Sequence, residues 1–311
     1  MTPTPRPASR SEADSARTRE VLRRLELDVT RRLDGLLQGD YRGLVPGLGS
    51  EPGEARAYTP GDDVRRMDWN VTARMSEPHV RESIADRELQ TTVLVDMAPS
   101  IDFGTVRHTK AELAIAAVAA LGMLTDRAGN RLGGIVNDGA RLIDVRSGSG
   151  RRHLLALLHR LATIQPQPGD STLADGLGRL AGPGHRGGLA VVVSDLLQPG
   201  WTDPLRAVTL RHETLVIEVV DPRELELPDV GLIELRDSRT GRVVEVDTRR
   251  AKNRERFAEA GRARLAEHAR DVRAARADHL LLRTDRDWVL DLAKFVDQRK
   301  RRRRVATTVT A

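Results

Sequence analysis

No cysteine occurs in this 311-residue chain, which excludes disulfides, thiolate zinc sites and cysteine nucleophiles without fixing the redox compartment. Long apolar runs are missing too. The longest, Leu113 to Leu124, is rich in alanine and too short to span a bilayer, so no membrane insertion is expected. The opening MTPTPRPASRSEADSARTRE has no apolar core between its charges and reads as neither signal peptide nor anchor. Also absent are a P-loop, an HExxH helix and a GxSxG turn, so the common nucleotide, zinc-protease and serine-hydrolase mechanisms have no carrier. GPGHRG, Gly182 to Gly187, matches a dinucleotide fingerprint in letters only, because it precedes a strand where the mechanism needs it after one. His108, His153, His159, His185 and His212 stand singly along the chain, as packing or surface histidines do.

What is present is enough chain for one substantial core and a modest basic excess. Lys+Arg number 51 against 45 Asp+Glu, a net charge of +6, much of it in the termini, so nucleic-acid binding is permitted without being demanded. Residues 1–18 are rich in Pro, Ser and charge and are expected to be a disordered tail. From Arg19 to Leu37, Val21, Leu22, Leu25, Val29, Leu33 and Leu36 recur at three- and four-residue steps, which predicts an amphipathic helix. Together with the chain up to residue 84 it is expected to pack on a main domain of residues 85–298. Residues 299–311 form a basic tail, with Lys300 to Arg304 suited to the end of a helix.

The chain is organised around TTVLVDMAPSIDFG, Thr91 to Gly104, a β-branched run that stops at the carboxylate of Asp96. Apolar residues without helical spacing, ended by turn chemistry, predict a strand buried on both faces. GLAVVVSDL, Gly188 to Leu196, repeats the design and ends at Asp195, and ETLVIEVVD runs from Glu213 to Asp221. Helices are expected over about 106–127, 151–162, 203–212 and 250–277. Strands are expected over 131–137 and 140–145 about an Asp-Gly hairpin turn, over 231–235 and 243–246 as an added hairpin, and over 280–283. A final helix has a capping-box-like start at Thr284 and Asp287. The alternation predicts an α/β fold with a doubly wound, mainly parallel sheet, a small N-terminal segment and the added hairpin. Ligands of such sheets bind at the carboxyl edge. Asp96 and Ser100 could there supply oxygens to a hard cation, or merely satisfy backbone donors in a turn.

Asp-x-x-x-Ser at Asp96 and Ser100, a hydroxyl-bearing loop GDSTLADGL with Ser171 and Thr172, and strand-Ser-Asp at Asp195 together resemble the metal-ion-dependent adhesion site of von Willebrand factor A domains. More specific is YTPGDDVRRMDWNVTARMSEPHVRES, Tyr58 to Ser83, joined to DMAPSIDFG. This resembles the bacterial domain-of-unknown-function family fifty-eight, whose von Willebrand A-like domain follows a Y-x-x-G-D-D-x-R-x-x-D-W segment. The similarity runs from Tyr41 to about Thr284. It implies Mg2+ or Mn2+ held by Asp96, Ser100, Ser171 or Thr172, and Asp195. One departure leaves that site incomplete: where the family usually carries a second hydroxyl this chain has Ala98, and a methyl cannot coordinate a cation. Lys110 fits the family pattern, which would set it near the site, and reads more simply as a solvated helix lysine. Asp62, Asp63, Arg65, Arg66, Asp68, Arg74 and Arg81 beside Trp69 suit a buried ion-pair lock better than a catalytic relay.

The resemblance implies a non-enzymatic protein-interaction module with a degenerate adhesion site. Relatives are typically encoded beside MoxR-type AAA+ ATPases, which makes such an ATPase the expected partner. Relatives often carry membrane helices before the conserved segment, and with none read here the cytoplasm is the expected compartment. Two other classes stay open. One is a metal-dependent hydrolase working through Asp96 and Asp195. The other is a binder of acidic partners or nucleic acid through the basic tail, nucleic acid being the less expected.

Overall fold

The computed structural model describes residues 55–59, 64, 67–75, 77–81, 90–106, 108–127, 130–185, 187–237 and 241–309. The helix expected over Arg19 to Leu37, and Asp62, Asp63, Arg65 and Arg66, lie outside them.

Six strands form the central sheet: β3 (Gln90–Asp96), β4 (Arg131–Asn137), β5 (Leu142–Gly148), β6 (Leu189–Ser194), β7 (Glu213–Val220) and β10 (Asp278–Arg283), in the order β10-β7-β6-β3-β4-β5. All neighbours are parallel except β4 and β5, which pair antiparallel across the Asp138-Gly139 turn. That turn works because Asp138 Oδ1 accepts the amides of Ala140 and Arg141 at 3.0 and 2.9 Å, and because Gly139 takes φ +95°. This is the left-handed region open to glycine.

Helices cover both faces, which is why β3 and β6 read as continuous apolar runs and not as alternations. Side chains on a strand still alternate between faces. Val93 and Val95 pack with α2 (Lys110–Arg127), α3 (Arg151–Thr163) and α7 (Trp288–Val309), while Leu94 packs with α4 (Leu173–Leu180) and α5 (Thr202–Thr209). Gly176 brings α4 close to the sheet, since a Cβ there would come 2.7 Å from Leu94 Cδ1. The expected hairpin is present as β8 (Leu232–Arg236) and β9 (Val243–Asp247). The helix expected from residue 106 begins at Lys110, and the short 3-10 helix Pro99–Ile101 lies between it and β3.

Ahead of the sheet, β1 (Ala55–Ala57) and β2 (His79–Arg81) pair antiparallel around α1 (Trp69–Met75). Asp68 caps α1, its Oδ1 accepting the amides of Asn70 and Val71 at 3.0 and 3.2 Å. Trp69 is 70% exposed, so the expected lock is not closed by this indole; the aspartate beside it also serves as a helix cap. At the other end α7 continues through Val309. Arg299, counted with the tail by charge, is 4% exposed and pairs with Asp278 and Glu213.

One buried polar cluster ties α6 (Ala251–Ala274) and β10 to β7. Glu218, 1% exposed, accepts from His268 Nδ1 at 2.7 Å and faces His279 Nε2 at 2.9 Å. Burial by itself would raise the Glu218 carboxyl, but the two imidazoles outweigh it and hold the group below its ordinary range. The sign of the linkage follows: the folded state favours the ionised form, so this stabilisation is present above the ordinary glutamate pKa and is lost as pH falls through the lowered folded value. Glu218→Gln is expected to destabilise the fold by about 2 kcal/mol at neutral pH, as for a hydrogen bond to a charged group. Denaturant titrations of both proteins at pH 7 and in acid check this: the difference should shrink in acid.

Candidate functional site at the carboxyl edge of the sheet

Because β3, β4, β6 and β7 end on one edge in register, the polar residues at or just after their ends are brought together by the fold itself. Asp96 pairs across to Asn137, and Val95 to Val193 one residue before Ser194. Asp96, 2% exposed, accepts from Asn137 Nδ2 at 3.0 Å and the Ala98 amide at 3.4 Å on Oδ1, and from Ser194 Oγ at 2.9 Å on Oδ2. Its neighbour Asp195, also 2% exposed, accepts from the Leu197 amide on Oδ1 at 3.2 Å. Burial first, and the charge of Asp195 second, push the Asp96 carboxyl up to about 7, against the pull of its three donors.

The other oxygen of Asp195 is taken by Lys110. The lysine is 0% exposed, and its Nζ lies 2.8 Å from Asp195 Oδ2 and 2.7 Å from Glu224 Oε1. Burial would lower the lysine pKa, but Asp195 and Glu224 outweigh it and hold the ammonium above its usual range. Phe103 closes the outer side with its ring centroid 5.9 Å from Nζ. The solvated-helix reading of Lys110 is therefore corrected. The first residue of α2 turns its chain into the sheet edge, where an ammonium without carboxylates would not survive desolvation.

A second knot lies beside it. Asp221, immediately after β7, accepts from the Thr105 amide at 2.9 Å, Thr105 Oγ1 at 2.6 Å, Thr284 Oγ1 at 2.8 Å and the Arg223 amide at 2.9 Å. Burial opposes ionisation, yet these donors hold its carboxyl below the ordinary range. Thr284 is thus a partner of Asp221; the cap of the last helix falls to Asp287, whose Oδ1 accepts the Leu290 amide at 3.3 Å.

Of the residues read from the sequence, Asp96 and Asp195 meet at this edge. Ser100 sits half-buried in the short turn Pro99–Ile101 beyond them. Ser171 reaches the network through its backbone carbonyl, 3.4 Å from Asn137 Nδ2. Thr172 is the N-cap of α4 in a capping box with Asp175, its hydroxyl donating to Asp175 Oδ2 at 2.7 Å. Asn137, Ser194, Asp221, Glu224 and Thr284 were not named as site residues. The available signal was that β4 and β6 each finish on a polar residue, as β3 does, and that β7 is followed at once by Asp221.

With Lys110 seated on Asp195, this donor set does not fit an adhesion-site dication. Mg2+ takes about six oxygens in near-octahedral array. Here Ala98 offers a methyl, the Thr172 hydroxyl is spent on Asp175, and Asp96 already receives three hydrogen bonds. An ammonium already rests on Asp195, and unit charges about 4 Å apart interact by about 4 kcal/mol near a protein surface, twice that for a dication.

Comparison with known proteins gives relatives along nearly the whole chain. The family described as "Protein of unknown function DUF58" matches residues 54–267. Proteins of Mycobacterium tuberculosis and Mycobacterium bovis described as uncharacterized are 49% identical over 295 residues, covering 94% of this chain and 93% of theirs. Similar solved structures include an aerotolerance-related membrane protein from Bacteroides fragilis (16% identity, 68% of this chain, 98% of that chain, TM-score 0.45). BatB from Bacteroides thetaiotaomicron (15% identity, 68% and 99%, TM-score 0.44) and the SpRpn10 VWA domain (10%, 68% and 94%, TM-score 0.38) are also similar.

The raised Asp96 carboxyl gives a pH prediction. In the folded chain it holds its proton up to about pH 7, whereas the unfolded chain releases it near the ordinary aspartate value of 3.8. Its contribution is therefore full below the unfolded value and lost as pH rises through the folded one. Asp96→Asn should remove that part of the loss, gaining stability on wild type between pH 5 and pH 8 by roughly 1–2 kcal/mol, a discounted share of the linkage. Chemical denaturation at the two pH values measures it, and parallel curves would count against the raised carboxyl.

Proposed function

This chain belongs to the family described as protein of unknown function DUF58, and we propose that it is a von Willebrand A-like protein-interaction module that docks a AAA+ ATPase of the MoxR type through the carboxyl edge of its sheet. The observation that carries this reading is the contrast between the inside and the rim of that edge. Inside, Asp96, Asp195 and Lys110 are satisfied by one another and withdrawn from solvent. On the rim, the loops that bear them expose Phe103 at 40%, Val106 at 51% and Leu197 at 38%. Exposed apolar side chains on the loops around a buried polar floor suit docking better than turnover.

Catalysis is less well supported. Asp96 has a pKa of about 7, near the acid-base range, but it is buried and its oxygens are occupied by Asn137, Ala98 and Ser194. Among the described residues no helix is long and apolar enough to cross a membrane. The ATPase as partner rests on the family resemblance alone.

The test is binding of the purified chain to a MoxR-type ATPase by calorimetry. Phe103→Ser with Leu197→Ser should weaken association about tenfold or more, in the range of interface anchors, while leaving the fold intact by circular dichroism. Undiminished binding would move the interface elsewhere. Phosphoester hydrolysis by the purified chain, abolished by Asp195→Ala, would favour the hydrolase reading.

A further inference from the structure

Metal-dependent docking sites work because a bound cation gathers carboxylates from separate loops. Here one side chain of the chain itself already does so. Lys110 comes from the start of α2, Asp195 from the end of β6 and Glu224 from the turn Pro222–Glu224 after β7, and all three meet at one nitrogen through contacts of 2.8 and 2.7 Å. The arrangement is braced from outside. Glu224 Oε2 accepts the Asp221 amide at 3.0 Å, the Glu224 carbonyl accepts from Arg264 Nη2 at 3.2 Å, and Phe103 covers the ammonium. An ammonium has three donors and a full charge. Fixed between two carboxylates it supplies the attraction across the loops that a divalent ion would supply, and it opposes the approach of one.

We infer that Lys110 is the resident cation of this edge, a tethered ammonium that replaces a divalent metal at Asp195 and makes the docking surface independent of metal. It would join the three loops permanently, where an exchangeable ion would join them only when bound. A partner would then meet a preformed surface with no open coordination position, so capture of a partner carboxylate by a metal is not part of its recognition. The inference about the cation stands on the geometry of Lys110; only its consequence for docking rests on the function proposed above.

The experiment uses the full chain with Mn2+ alone as probe, followed by the electron paramagnetic resonance of free Mn2+ and by the melting temperature with and without EDTA. Wild type should retain no Mn2+ at millimolar metal and show no metal-dependent melting shift. Lys110→Met keeps the length of the side chain and removes the charge. It should bind Mn2+ at least about tenfold more tightly than wild type and acquire a melting rise through mass action, and adding Asp195→Asn should abolish both. If Lys110→Met does not fold, the neutralised pair Lys110→Gln with Glu224→Gln replaces it with the same expected gain. Mn2+ uptake by wild type that is lost in Asp96→Asn or Asp195→Asn would overturn the inference, as would a folded lysine variant that gains no affinity. Association with the ATPase should be unchanged by EDTA. Absence of any association would count against the proposed function and leave the Mn2+ result to decide the role of Lys110.

Discussion

The buried ammonium of Lys110 is the constraint on which the carboxyl edge depends. Removing a lysine from water costs several kcal/mol unless close counter-charges and hydrogen bonds repay it. Lys110 is 0% exposed and is balanced by Asp195 and Glu224 at hydrogen-bonding distance. Each partner therefore fixes a loop: the ends of β6 and β7 cannot drift from the start of α2 without stranding a charge. The same arithmetic explains why the neighbouring knot at Asp221 is built from hydroxyls and amides instead of a second cation, since Thr105, Thr284 and the Arg223 amide already satisfy its oxygens.

The sheet makes this possible. Parallel strands in register finish on one edge, so polar residues at strand ends meet whatever their separation along the chain. Asp96 and Ser194 are 98 residues apart and 2.9 Å apart in space. The two apolar layers hold those ends rigid, with Val93 and Val95 facing one and Leu94 the other. A preformed polar floor under an exposed apolar rim limits what binding must reorganise, which is the condition for a docking surface that needs little ordering to work.

The fold was legible because its signals are local. Buried strands announce themselves by β-branched runs, the β4–β5 hairpin by Asp-Gly, and the outer hairpin by its turn residues. Element ends were less legible: Thr284 has the letters of a helix cap, but its hydroxyl goes to Asp221 and leaves the cap to Asp287. The site was half legible. Asp96 and Asp195 could be named because each ends an apolar run, but the fates of Thr172 and Lys110 depend on what lies opposite them in space. A threonine before a helix can cap or coordinate, and a lysine at a helix start is solvated unless two distant carboxylates are brought to it. Glu224, the second of those carboxylates, sits in the Asp221-Pro-Arg-Glu224 capping box, a motif that announces a cap and not a partner for a distant lysine.

The most direct test of this account is a crystal structure of the wild-type chain soaked in millimolar Mn2+, with anomalous scattering recorded. The account predicts no anomalous peak at the sheet edge and the Lys110 ammonium within hydrogen-bonding distance of both Asp195 and Glu224. A manganese peak between Asp96 and Asp195, with the lysine swung away from Asp195, would contradict it.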